Sequence, residues 1–251
     1  MLKSLSSSIA AAALLAMAVP AHANHHEGPV ADAVADPARP AEDVARDVHR
    51  KPAEIVTFAG VQPGMKIAEI APGRGYYTRI LAKSVGPEGK VYALMPAFLA
   101  NRPGGLDGIN ALAAEYGNIE VVVVDYASTK LPEPVDLVWT TENYHDLANG
   151  DVALINSWAF DALKPGGRYF VEDHSAPGTG TSATSTIHRI DPAAVKEQVT
   201  AAGFMLEAES DLLVNPADPM DISPREVTDG VSTKFALRFH KMAEGHDHAH
   251  H

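Results

Sequence analysis

The chain has 251 residues, a formal net charge of −12 and no cysteine. Without cysteine it has no thiolate nucleophile, no thiolate metal site and no disulfide. So acidic a balance argues against nucleic acid or an anionic membrane as the main partner.

Met1-Leu2-Lys3 gives a short positive start, Ser8 to Pro20 is an apolar run, and Ala21-His22-Ala23 has the small-x-small form of a signal-peptidase site. Residues 1–23 are therefore expected to be a cleaved signal peptide, which places the mature protein in the periplasm with no stable membrane insertion. A retained anchor is the alternative, although the run is shorter than the roughly 20 residues of a comfortable span. Residues 24–40 carry few large apolar groups and are expected to form a flexible leader. Residues 41–241 suffice for one domain, and 242–251, ending in GHDHAHH, form a His-rich tail. Cleavage after Ala23 makes His26 the third residue, where a free amine, two backbone amides and an imidazole suit square-planar copper or nickel. Otherwise the terminal histidines are a polar, metal-scavenging tail.

Within the domain, "PAEDVARDVHRKPAEIVTFAGV" reads as one or two helical pieces interrupted at Pro52. Strands are predicted near 65–70, 90–95, 119–125, 135–141 and 167–173, with helices near 75–84, 107–116 and 151–163. That alternation makes parallel βαβ units and a sheet covered by helices on both faces. "DPAAVKEQVTAAGF" opens with an Asp-Pro helix start and closes at Gly203. "FMLEAESDLL" and "TKFALRFHK" then read as two strands with no helix between them, so they are expected to pair antiparallel.

Ligands of an open α/β sheet lie beyond the carboxyl ends of its strands. The turn in "AEIAPGRGYYTRILA" therefore has a default role. Gly73-Arg74-Gly75 lets a backbone approach a ligand closely, but Tyr76-Tyr77-Thr78 follows where a dinucleotide turn has its third glycine. Alone, the glycine pair serves equally well as a plain tight turn.

Four stretches in order add context: "VQPGMKIAEIAPGRGYYTRILA", "NIEVVVVDYAS", "VDLVWTTENYHDL" and "LKPGGRYFVEDH". From about Arg39 to Lys241 the chain resembles the class I S-adenosylmethionine-dependent methyltransferase family. Its GYYT, YHDL and HRID stretches are similar to those of exported bacterial predicted methyltransferases. The resemblance implies a Rossmann-like seven-stranded, mostly parallel sheet with a C-terminal antiparallel hairpin. It implies S-adenosylmethionine as cofactor and methyl transfer to a small molecule in the cell envelope. Glu69, Ala71, Gly73, Gly75 and Tyr76 would then serve the amino-acid part of the cofactor. Asp125 would meet the adenine amine with Tyr126 beside the ring, and Thr141, Glu142 and Asn143 would line the floor near the methyl group. Two positions depart from the pattern. Ala71 replaces the first loop glycine, and Met95-Pro96 ends the second strand where an acidic residue holds both ribose hydroxyls. A missing charge-assisted hydrogen bond of this kind costs about 1.5–3 kcal/mol.

"TENYHDL" and "VEDHSA" each put a His-Asp pair just past a predicted strand. His145, Asp146, Asp173 and His174 are thus expected on the rim that carries the glycine turn, with His188 and Arg189 of "IHRID" beside them. Two chemistries use such groups. His145 or His174 acts as a general base, oriented by Asp146 or Asp173, or His and carboxylate hold zinc, iron or manganese. No residue is assigned to a metal. The plain alternatives are helix or turn caps at Asp146 and Asp173. Arg39, Arg46 and Arg50 form either a lid over the pocket or a solvated helix face paired with Glu42 and Asp47. A binding protein, or a metal-assisted lyase or hydrolase, is the alternative function on the same scaffold.

Overall fold

A computed structural model describes residues 28–227 and 231–242. The expected signal peptide, His26 and all but Met242 of the His-rich tail lie outside the described residues. α1 (Pro29–Val34), α2 (Ala41–Val44), α3 (Asp47–Arg50) and α4 (Pro52–Ala59) lead into β1 (Lys66–Ile70) and α5 (Tyr76–Val85). β2 (Lys90–Pro96), α6 (Ala97–Ala100), α7 (Asp107–Tyr116) and β3 (Ile119–Val124) complete one half. The other half comprises β4 (Val135–Thr141), α8 (Tyr144–Leu147), α9 (Val152–Ala162), β5 (Leu163–His174), α10 (Thr184–Ile187), α11 (Pro192–Ala201), β6 (Met205–Ser210) and β7 (Lys234–His240). Among the described residues no helix is long and apolar enough to cross a membrane.

The seven strands form one sheet in the order β3-β2-β1-β4-β5-β7-β6. β1 to β5 run parallel, whereas β7 pairs antiparallel with both β5 and β6. This is the expected architecture, and the order reverses direction between β1 and β4, where ligands of doubly wound sheets lie. Alternate strand residues serve two cores. Ile67, Val91, Leu137 and Trp139 pack towards α4 and α5, and Ala68, Leu94, Val138 and Val171 pack towards α9 and α11.

Local chemistry explains where the boundaries fall. Pro52 opens α4 at a position where no amide hydrogen is needed. Asp191 caps α11 by accepting from the Ala193 amide, and Asp151 caps α9 by accepting from Leu154. β5 begins at Leu163, earlier than predicted, because Leu163 pairs with Val135 before a register shift brings Arg168 opposite Leu137. Residues 28–40, within the expected flexible leader, are packed on the domain. Their α1 buries Ala33, and Arg39 is only 5% exposed.

Candidate active site

The turn after β1 reverses through three left-handed residues, Ala71 (φ 50), Gly73 (φ 60) and Gly75 (φ 84). A side chain at Gly75 would meet Leu112 Cδ2 at 2.5 Å, and the left-handed backbone at the start of α5 favours glycine there as well. A Cβ at Gly73 meets nothing within 4 Å. Ala71, Gly73, Glu69, Tyr76, Thr141 and Asn143 all line a cavity of about 250 Å³ beside the turn. Asn143 fixes its floor by donating to the Ile70 carbonyl at 3.0 Å and accepting from the Thr140 hydroxyl. Glu69 is 2% exposed, and among the described residues its Oε2 has no hydrogen-bond partner. Burial pushes its carboxyl up to about 7.

Asp125 and Tyr126 are not brought to this cavity. The exposed Asp125 carboxylate accepts from the Ala127 amide at 3.1 Å and the Ser128 hydroxyl at 2.9 Å. Tyr126 lines a separate cavity of about 600 Å³ with Trp158, the ring centroids 5.4 Å apart. Met95 is buried opposite Val123 and supplies no oxygen acceptor.

A second cavity, of about 560 Å³, shares Arg46, Arg50 and Glu142 with the first and contains the histidine rim. Asp173, at the end of β5, has no exposed surface. It accepts from the His145 amide at 2.6 Å and contacts His145 Nδ1 at 2.8 Å, which turns Nε2 towards Asp146 Oδ1 at 3.5 Å. Burial lowers the His145 pKa, but Asp173 outweighs it and the net direction is upward. His174 behaves oppositely. Burial pushes it down to about 4, and its Nδ1 lies 2.7 Å from the Ser232 hydroxyl. His188 reaches the rim from the end of α10, with Nδ1 3.6 Å from Asp146 Oδ1. Asp146 therefore faces the rim rather than capping a helix. Arg189 turns inward instead, fully buried against Asp218 at 2.9 Å.

Between the cavities lies a charged wall. Glu142, in a left-handed conformation (φ 54), receives Arg50 and, at 2.8 Å, Lys234. Burial alone would raise its carboxyl, but these cations hold it well below the usual range. Lys234 also lies 3.1 Å from the buried Glu172. The three N-terminal arginines crowd Tyr76, with guanidinium carbons 5.4, 5.2 and 4.6 Å from the ring centroid for Arg39, Arg46 and Arg50. Arg39 forks onto Asp47 at 2.7 and 2.6 Å, and the Tyr76 hydroxyl donates to the same carboxylate at 2.6 Å. The lid reading thus fits better than a solvated face. Lys234, Glu172 and Ser232 escaped the sequence reading, since only tertiary pairing brings the start of β7 beside β5 and lets Lys234 reach Glu142 past the end of β4.

Solved structures share this fold. A SAM-dependent methyltransferase from Aquifex aeolicus superimposes with a TM-score of 0.57 at 19% identity, covering 78% of this chain and 92% of that one. This is the class I methyltransferase fold. The same fold is shared by the [4+2]-cyclase SpnF, with a TM-score of 0.57 at 14% identity over 80% of this chain and 81% of that one. In sequence, the chain is 32% identical over 126 residues to the ubiquinone/menaquinone biosynthesis C-methyltransferase UbiE of Ectopseudomonas mendocina. That match spans 49% of this chain and 47% of the relative, so the chain spans about half the length of the curated relative it matches. No family model matches the chain.

Proposed function

We propose that the chain binds S-adenosylmethionine in the glycine-turn cavity and transfers its methyl group to a small molecule held in the adjoining histidine-lined cavity. The observation that carries this reading is Glu69, a buried carboxyl group whose Oε2 has no partner among the described residues and which lines a cavity walled by a glycine turn. Such an oxygen is costly unless paired, and a ligand ammonium group would pair it. The residues fit the amino-acid half of the cofactor. They do not fit the ribose half, where Met95 offers no acceptor. When bound, the cofactor supplies an electrophilic methyl group on a sulfonium.

The chain's own residues position the acceptor and take its proton. Asp173 locks His145 in place. His174 stays neutral at pH 7 and is fixed by Ser232, so we assign it the proton from the acceptor. A base this weak suits an acceptor O–H or N–H that is already acidified. The cell-envelope location rests on the pattern of Met1 to Ala23. Periplasmic protein with an N-terminus at Asn24 supports it, and cytoplasmic protein retaining Met1 overturns it.

Calorimetric titration with S-adenosylmethionine and S-adenosylhomocysteine tests the cofactor. Micromolar binding that weakens at least tenfold in Gly73→Arg supports the assignment. The local engagement of Asp125 and the apolar Met95 favour a second reading, a binding protein or a different reaction on this scaffold. No binding of either ligand at millimolar concentration selects it.

A further inference from the structure

His145, Asp146 and His188 form a group that hydrogen bonding does not explain. One ligand atom from each lies within 4.8 Å of the others. Asp146 Oδ1 is 3.5 Å from His145 Nε2 and 3.6 Å from His188 Nδ1, too far for good hydrogen bonds. Two ligands bound tetrahedrally to one ion at about 2.0–2.1 Å are themselves about 3.4 Å apart. The spacing therefore suits ligands around a shared ion better than groups bonded to each other.

Two further features hold the group in that form. His145 presents Nε2 because its Nδ1 is engaged by Asp173, a side chain with no exposed surface. A carboxylate behind an imidazole is the usual support of a ligating histidine. His188 adopts a left-handed backbone (φ 55), uncommon outside glycine, and the next residue, Arg189, is anchored by Asp218 and the Ser175 and Ile222 carbonyls. The buried cations on the cavity wall do not oppose an ion, because Arg50 and Lys234 are already paired with Glu142 and Glu172.

We propose that His145, Asp146 and His188 bind one divalent transition ion of the zinc, iron(II) or manganese(II) class. The remaining coordination positions are left to water or to an oxygen of a molecule in the 560 Å³ cavity. Two histidines and one carboxylate with open positions suit these ions. Ion binding does not depend on methyl transfer, so the two assignments fail separately.

Cobalt(II) titration of the metal-free mature chain, by equilibrium dialysis and visible absorption, tests the site. His188→Asn suits the left-handed backbone, and Asp146 is largely exposed, so His188→Asn and Asp146→Asn are expected to fold. Histidines near the termini are common to all three proteins and cancel. The wild-type chain should bind one equivalent more than either variant, with a visible band that both variants lose. Equal binding by all three overturns the proposal. Should a variant melt early, manganese(II) added to the wild-type chain decides. Selective broadening of the His145 and His188 imidazole resonances supports the site, and broadening confined to other histidines overturns it.

Discussion

At the scale of single residues, backbone strain at the first turn and a buried carboxyl group at the end of β1 lie side by side. Ala71 stands at φ 50 with a Cβ that glycine would lack. The left-handed region costs such a residue about 1–2 kcal/mol, partly offset because glycine gains unfolded-state entropy. Ala71→Gly should therefore stabilise the fold by roughly 0.5–1 kcal/mol, measured by urea denaturation, and should tighten cofactor binding. Glu69 gives a pH signature. Its folded pKa is about 7 because of burial, against an ordinary value of 4.5. Between these values the folded chain holds a proton that the unfolded chain has lost. Its contribution is therefore fully present below pH 4.5 and lost as pH rises through 7, a change of up to about 3 kcal/mol. Glu69→Gln should flatten that part of the stability profile. A ligand ammonium beside Glu69 should expel the proton. Calorimetry near pH 6.5 in buffers of different ionisation heat should show proton release in the wild type and none in the variant.

At the scale of elements, charges join α3, the β4–α8 turn, β5 and β7. Arg50, Glu142, Lys234 and Glu172 form one cluster across them, and Lys234 and Glu172 are buried. Removing one anion leaves a buried cation uncompensated. Glu142 is partly exposed, so Glu142→Ala should cost at least about 2 kcal/mol rather than the full penalty of a buried pair. Exchanging Arg50 for Met in the same chain should recover part of that loss, and a double-mutant cycle measured by thermal unfolding would show it. This cluster also marks the limit of the sequence. The strand alternation, the glycine turn and the Asp-Pro cap are local signals and could be read directly. So could the His-Asp pairs, because each follows a strand whose end was already placed. The long pairing of Lys234 with Glu142 has no local signal, and the strand pattern that placed Asp125 at the end of β3 did not show that Ala127 and Ser128 donate to its carboxylate.

Over the whole molecule, the two cavities adjoin where the N-terminal segment crosses the carboxyl end of the sheet. Arg46 and Arg50 line both, and Arg39 holds the segment by its bond to Asp47, which also orients Tyr76 at the mouth of the glycine turn. Composition made residues 28–40 look like a leader because their anchoring lies in one buried arginine and α1 packing on α5, not in large apolar side chains. A chain lacking 24–39 should therefore fold less stably, not merely lose a tail. Loss of Arg39 leaves the Asp47 carboxylate without its fork and holding only the Tyr76 hydroxyl, a cost of about 2–4 kcal/mol by the measure of broken partly buried pairs. With the Asp47 carboxylate that orients Tyr76 no longer anchored, S-adenosylmethionine affinity should fall about tenfold or more. A truncated chain with unchanged melting temperature and unchanged affinity would restore the flexible-leader reading and remove the segment from the site.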